Sequence, residues 1–310
     1  MIPAFDQVVP RDGYAWWYLD AISADQRYGL TLIAFVGSVF SPYYAWARAR
    51  GRGDPMAHCA INVALYGPKG RWSMTERSAQ AVSREATMFT VGPSALRWDG
   101  NALRIDLHEW AFPLLRPLRG HIRVWPEIVH NQPLQLDERG LHQWTATWPA
   151  ARVELALQRP DLNWSGQAYF DHNSGSEPLE QGFQHWTWSR AMSRRGPLVL
   201  YDTTQRSGLS TAYAMRFDRS GERELLPSPT PVQLPHTFWR IKRSTRSENG
   251  QSQVISTWED TPFYARSLIS THLLDEPVAA VHESLSLDRF SKPLVQLMLP
   301  FRMPRRSGWR

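Results

Sequence analysis

Short segments in which apolar and polar residues alternate one by one recur along this 310-residue chain. Leu103, Ile105 and Leu107 form one such series, and residues 121–125 and 152–158 form two more. Because successive side chains of a β-strand point to opposite faces, this period-two pattern predicts half-buried strands. No long stretch carries an apolar stripe at helical spacing, and only residues 290–299 suggest a short helix, beginning near Pro293.

Turn-forming sequences separate these segments, and five of them contain glycine. They are Pro68-Lys69-Gly70, Asp99-Gly100-Asn101, Glu138-Arg139-Gly140, Arg219-Ser220-Gly221 and Glu248-Asn249-Gly250. Strands joined by such turns are typical of antiparallel meanders that close into barrels or sandwiches. The sequence therefore predicts an all-β protein with few short helices.

The length of the chain suits two domains of ordinary size. The clearest boundary lies near Pro149 and Ala150, where a strand region punctuated by glycine ends and a new strand begins at Arg152. We therefore expect one β domain over residues 1–150 and a second over residues 151–310.

Composition excludes several classes of protein. The single cysteine, Cys59, leaves no disulfide framework and no cysteine-cluster metal site, and it favours a reducing compartment. Residues 1–13 lack the basic and apolar regions of a secretory signal. No run of about 18 apolar residues is present, so no membrane-spanning helix is expected.

The chain is basic and rich in tryptophan, with a net charge of +6 and 15 Trp residues. Arginines are scattered among the strands and form no stripe, so no nucleic-acid partner is expected. The densest basic group lies at the C-terminus beside apolar residues. It comprises Arg302, Arg305, Arg306 and Arg310, next to Leu297, Met298, Leu299, Phe301 and Trp309. This segment is either a membrane-surface contact or a solvated tail.

The common catalytic signatures are missing from the sequence. There is no phosphate-binding loop, no GxGxxG, no GxSxG and no HExxH. A hydrolase, a kinase and a zinc protease are therefore not expected, and neither is a metal or nucleotide cofactor.

Polar residues embedded among aromatic ones are the remaining candidates for a site. Three pairs spaced two apart would each share a strand face: His142 with Trp144, Tyr169 with Asp171, and Trp186 with Trp188. Burial raises the pKa of an aspartic acid, so that it can donate a proton near neutral pH. Aromatic faces can stabilise a cation formed by that donation, and a histidine can position water. Alternatively, Asp171 caps a turn, His142 is a hydrogen-bonded strand residue without a catalytic role, and both tryptophans fill the core.

Five longer segments carry a resemblance to a known family: residues 16–20 (WWYLD), 35–46 (FVGSVFSPYYAW), 54–67 (DPMAHCAINVALYG), 71–77 (RWSMTER) and 287–306 (LDRFSKPLVQLMLPFRMPRR). In these segments the chain resembles the carotenoid 1,2-hydratases, or hydroxyneurosporene synthases, of phototrophic bacteria. The resemblance implies two consecutive lipocalin-like antiparallel β-barrel domains. The second domain of the wider superfamily usually has a strand ending in Asp-His and then a Trp-x-Trp segment, and residues 171–172 and 186–188 resemble these. Residues 174–178 depart from the usual pattern of the wider superfamily.

The resemblance implies addition of water to the terminal C1–C2 double bond of an acyclic carotene such as neurosporene or lycopene, without a cofactor. Asp171 would protonate C2 and leave a tertiary cation at C1. Trp144 and Tyr169 would stabilise this cation, and His142 would position the attacking water and accept its proton. Trp186 and Trp188 would bind substrate.

A non-catalytic carotenoid or lipid carrier is the alternative, because a lipocalin-like barrel can bind such a ligand without reacting. Since the substrate is apolar, the resemblance also implies a peripheral protein on the cytoplasmic side of the membrane. The sequence leaves the oligomeric state open.

Overall fold

The computed structural model describes residues 3–306. The chain forms two compact units, residues 1–178 together with 297–310, and residues 179–296. The boundary predicted at residue 150 is therefore wrong, because that residue lies within the continuous strand His142–Arg159. Most described residues lie in strands and the helices are short, which confirms the predicted all-β class.

Residues 3–178 of the first unit contain twelve strands and one α-helix. The strands are β1 (Tyr14–Ser23), β2 (Gly29–Val36), β3 (Cys59–Tyr66), β4 (Arg71–Arg77), β5 (Val82–Glu85), β6 (Met88–Val91), β7 (Ser94–Trp98), β8 (Leu103–Ala111), β9 (Arg116–Ile128), β10 (Leu134–Gln135), β11 (His142–Arg159) and β12 (Asp161–Gly175). Helix α1 (Pro42–Ala49) begins after Ser41, whose hydroxyl accepts from the Tyr44 N–H.

Eleven of these strands form one antiparallel sheet in the order β4-β3-β2-β1-β12-β11-β9-β8-β7-β6-β5, and β10 pairs with β11 beside it. The sheet curls so far that β4 contacts β8, which is not its neighbour in this order. The Ser73 hydroxyl of β4 donates to the Trp110 carbonyl of β8 at 2.9 Å. An apolar core fills the enclosed side and includes Trp17, Phe170 and Trp148. The alternating segment Leu103–Leu107 points its apolar residues into this core, as predicted.

Strand β1 differs from that alternating pattern because both of its faces are buried. Its sequence, YAWWYLDAIS, is accordingly a nearly continuous run of apolar and aromatic residues. Ala15, Trp17 and Leu19 face the enclosed core. Tyr14 and its even-numbered neighbours face the opposite side of the sheet.

Two irregularities interrupt the pairing of β11 with β12. They lie between Thr145 and Trp148 and between Trp148 and Ala151, where β11 carries one more residue than its partner. Each acts as a β-bulge and reverses the face of the residues that follow. As a result Trp144 faces one side of the sheet and Trp148 packs in the core on the other. This change of phase is what resembled a domain boundary in the sequence.

The second unit contains nine further strands within the described part of the chain. They are β13 (Phe183–Ser193), β14 (Gly196–Gln205), β15 (Ser210–Phe217), β16 (Arg223–Leu226), β17 (Thr230–Leu234), β18 (Arg243–Ser247), β19 (Ser252–Asp260), β20 (Tyr264–Leu273) and β21 (Glu276–Ser286). Seven form an antiparallel sheet, β16-β15-β14-β13-β21-β20-β19, and β17 pairs with β18. Helix α2 (Leu179–Gly182) precedes β13, and helix α3 (Leu287–Phe290) follows β21.

After helix α4 (Pro293–Met298) the chain returns to the first unit, where strand β22 (Arg305–Arg306) pairs in parallel with β4. This helix confirms the one predicted after Pro293. No helix within residues 3–306 has the length and apolarity required to cross a bilayer.

A buried ionisable group lies inside the curled sheet. Glu109 of β8 accepts from the Ser94 hydroxyl at 2.7 Å and lies 3.7 Å from the guanidinium of Arg77. Burial raises its pKa to about 7, although the serine and the arginine both act in the opposite direction.

We predict that Glu109 makes stability fall as the pH rises from about 4.5 to about 7. In that window the folded state keeps a proton that the unfolded chain has released. Glu109→Gln should reduce this pH dependence of the free energy of unfolding by about 1–3 kcal/mol, measured by urea titrations at several pH values. Glu154→Gln, at an exposed glutamate, is the control. Equal pH dependence in Glu109→Gln and wild type would contradict the prediction.

Candidate active site

Strand β12 presents three polar residues on the face of the first sheet that lies opposite its core. Tyr169, Asp171 and Asn173 point to this face, whereas Phe170 and Ala168 point into the core. The period-two pattern had predicted that Tyr169 and Asp171 share a face. The pairing of strands brings β1 and β11 alongside, so that Tyr18 lies opposite Asp171 in the register, as its Cα partner on β1.

The Asp171 carboxyl is buried and accepts three hydrogen bonds. The Trp144 indole N–H donates to Oδ2 at 2.9 Å, and the Tyr169 hydroxyl donates to the same oxygen at 3.0 Å. The Asn173 amide donates to Oδ1 at 3.0 Å. The structure therefore brings together three of the predicted site residues and adds Asn173. Asp171 lies inside a strand, so it does not cap a turn.

This arrangement restricts where Asp171 can carry a transferable proton. A carboxyl oxygen offers two lone pairs, and both on Oδ2 are used by Trp144 and Tyr169. The acidic proton of a neutral Asp171 therefore belongs on Oδ1. After that proton leaves, all three donors stabilise the carboxylate that remains. Trp144 is thus a hydrogen-bond donor as well as an aromatic ring.

The two bulges of β11 lie directly beside this carboxyl. Residues 146–147 stand opposite Asp171, and residues 149–150 stand opposite Tyr169. Bulges re-aim side chains and are frequent next to active sites. Here the first bulge keeps Trp144 on the site face and places Trp148 in the core.

His142 occupies the same face at the start of β11, and hydrogen bonds fix it on every side. Its Nδ1 is 2.8 Å from the Tyr14 hydroxyl, and its Nε2 is 3.3 Å from Oε1 of Glu177. Its backbone N–H donates to the Asp137 carboxylate at 2.8 Å. Burial lowers the pKa of His142, and Asp137 and Glu177 act in the opposite direction. The imidazole is therefore neutral near pH 7 and able to accept a proton.

His142 and Asp171 lie at different levels along the same sheet face. His142 is paired with Gly175, four residues along β12 from Asp171. At about 3.3 Å per residue this separates the two Cα levels by roughly 13 Å. Trp144 and Asn173 occupy the level between them.

The other two predicted site residues lie in the second unit. Trp186 and Trp188 are buried on β13, two residues apart. The Trp186 ring packs against Phe183 and Tyr201, with centroid distances of 5.9 and 6.1 Å.

Sequence reasoning missed Tyr14, Asn173 and Glu177. Asn173 could have been found by extending the Tyr169–Asp171 alternation by one step. Glu177 lies in the segment 174–178 that departs from the superfamily pattern, which was the available signal. Tyr14 contacts His142 across 128 residues of sequence, and nothing local indicates that contact. Within residues 3–306, no group of three or more His, Cys, Asp or Glu side chains could hold a metal ion.

The fold and the site together define a lipocalin-like β protein with a buried aspartic acid and a neutral histidine on one sheet face. A family model described as carotenoid hydratase CrtC matches residues 32–310. The chain therefore belongs to the CrtC family of carotenoid hydratases, as its sequence resemblance indicated.

Two relatives support this assignment, and one solved structure shares the fold. The chain is 54% identical to the acyclic carotenoid 1,2-hydratase of Thiocapsa roseopersicina, over 99% of this chain and 76% of that protein. It is 47% identical to the enzyme of the same name from Rubrivivax gelatinosus, over 98% of this chain and 76% of that protein. Kievitone hydratase of Nectria haematococca has the same fold, with a TM-score of 0.56 at 12% identity over 92% of this chain and 93% of that one.

Gly175 is a testable part of this site, because it lies under the contact between Tyr14 and His142. A Cβ atom there would lie 2.5 Å from the Tyr14 ring and 2.8 Å from His142 Nδ1. We predict that Gly175→Ala lowers the free energy of unfolding by about 1–3 kcal/mol and shifts the His142 ring resonances in NMR spectra. Gly70→Ala, where the nearest atom would be 3.1 Å away, is the control. Unchanged His142 resonances would contradict the prediction.

Proposed function

We propose that this protein is an acyclic carotenoid 1,2-hydratase that acts without a cofactor. Membership of the CrtC family and the names of the two relatives support this substrate class. The single observation that carries the chemistry is the buried Asp171 carboxyl, which accepts from the Trp144 indole and the Tyr169 hydroxyl on Oδ2 and from the Asn173 amide on Oδ1.

In this proposal the reaction begins when Asp171 transfers its proton from Oδ1 to C2 of the terminal double bond. The positive charge then develops at C1, because the tertiary cation is the more stable one. Trp144 and Tyr169 donate to the new carboxylate and present aromatic faces to the cation. Water adds to C1 and gives up a proton to the hydrogen-bonded group around His142. The product is the 1-hydroxy carotenoid.

The alternative of a carotenoid carrier predicts binding without a change in mass. A pure carrier has no use for a buried carboxyl surrounded by three donors, or for a neutral histidine held by a carboxylate. Removing these ionisable groups from water costs free energy, so their presence on a buried face favours a reacting site.

We predict that the purified protein converts neurosporene or lycopene to a product one water heavier in detergent under anaerobic conditions, with no added cofactor or metal. Asp171→Asn keeps the shape and cannot supply the proton, so the rate should fall by about 10²–10⁴-fold. Chromatography with mass spectrometry measures the product. Asp106→Asn, at an exposed aspartate of β8, is the control. Co-elution of unchanged carotenoid without product would favour the carrier.

We also propose that the protein binds the cytoplasmic face of the membrane peripherally, because its substrate is dissolved in the bilayer. A C-terminal apolar patch supports this, with Leu297, Met298 and Phe301 exposed by 62%, 40% and 78%. Arg302 is exposed beside them and lies over the Trp72 ring. Arg305 is committed to the fold, because it bonds to Glu76 and His58. Trp309 and Arg310 lie outside the described residues.

We predict that the double substitution Leu297→Ser/Phe301→Ser weakens binding to anionic phospholipid vesicles by at least about 10-fold, because each side chain should contribute roughly 1–3 kcal/mol when buried in lipid. Cosedimentation measures the binding. Leu225→Ser, at a residue exposed by 60% in the second unit, is the control. Binding equal to wild type would eliminate this patch as the contact. Point substitutions are preferable to truncation, because Leu299 and Met303 are buried.

A further inference from the structure

A chain of three side chains links the partly exposed edge of the first unit to its buried face. Glu177, with 16% of its side chain exposed, is bonded to His142 Nε2, and His142 Nδ1 is bonded to the Tyr14 hydroxyl. His142 and Tyr14 are both buried. Arg139 pairs with the other oxygen of Glu177 at 3.2 Å.

The bonds of this chain fix its proton positions. A carboxylate only accepts hydrogen bonds, so the Glu177 contact places the proton of the neutral imidazole on Nε2. The lone pair of Nδ1 then accepts the Tyr14 O–H. A carboxylate, an imidazole and a hydroxyl arranged in this order also activate the serine of hydrolases, where the hydroxyl is the group that meets the substrate.

Both ring nitrogens of His142 are therefore already engaged, and its side chain has no exposed surface. A water molecule can reach the imidazole lone pair only by displacing Tyr14. The Tyr14 ring stacks on Trp16, with centroids 4.9 Å apart. Gly175, which has no side chain, leaves the space that this ring occupies.

We propose that Tyr14 is the catalytic residue that takes the proton from the attacking water, and that His142 and Glu177 are positioning residues behind it. This inference rests on the proposed hydratase function. Tyr14 is paired with Gly175, two levels along the sheet from Asp171. In this proposal the terminal double bond lies over Asn173, which is level with Trp16 on β1. It then has the Asp171 carboxyl on one side and the Tyr14 hydroxyl on the other.

The proton transfers balance in this scheme. The Asp171 O–H bond breaks and a C2–H bond forms. The water oxygen bonds to C1, and one of its protons moves to the Tyr14 oxygen while the phenolic proton moves to His142 Nδ1. The imidazolium that results faces the Glu177 carboxylate. It then releases one proton to bulk water, and Asp171 takes one up, which restores the starting state without any oxidant or reductant.

The test compares Tyr14→Phe and Glu177→Gln with two matched controls, Tyr28→Phe and Glu154→Gln. Tyr14→Phe keeps the stacked ring and loses the hydroxyl, so kcat for carotene hydration should fall by about 10²-fold or more while circular dichroism is unchanged. Glu177→Gln removes a carboxylate that raises the pKa of His142. The acidic limb of its kcat/KM profile should therefore move to lower pH, together with the His142 titration measured by NMR.

Retention of at least half of kcat in Tyr14→Phe would overturn the proposal, because water would then reach His142 directly. An unshifted pH profile in Glu177→Gln would remove Glu177 from it. Failure of the proposed function is a separate outcome, since the wild-type protein would then form no hydrated product at all.

Discussion

The pairing of β11 with β12 is the constraint on which the rest of the first unit depends. This pair brings Trp144 and His142 to the residues of β12, and β12 in turn pairs with β1 and sets Tyr14 beside Gly175. The two bulges of β11 allow one strand to serve both the core and the site. Without them, a strictly alternating β11 would place either Trp144 or Trp148 on the wrong face.

Burial and hydrogen bonding act in opposite directions at the two ends of the site. Asp171 is removed from water, which favours its neutral form, yet it meets three donors that favour the charged one. At His142, burial lowers the pKa, and the Asp137 and Glu177 carboxylates act in the opposite direction.

Local alternation predicted much of the fold. The strands at Leu103–Leu107 and 152–158, all five turns and the helix after Pro293 follow from patterns a few residues long. The continuity of β11 through residue 150 could not be predicted, because a pair of bulges and a linker both interrupt alternation in the same way. Only the pairing partner distinguishes them, and that partner is β12.

The candidate site also has a part that local alternation predicts and a part that depends on strand pairing. Tyr169 and Asp171 lie two apart on one strand, so their shared face was predictable, and Asn173 follows from the same rule. Tyr14 and His142 meet only because β1 and β11 flank β12, and Gly175 permits that contact by having no side chain. Gly175 and Glu177 both belong to the segment in which the sequence departs from the wider superfamily. The departure therefore falls where a carboxylate meets His142, at the opposite end of this sheet face from Asp171.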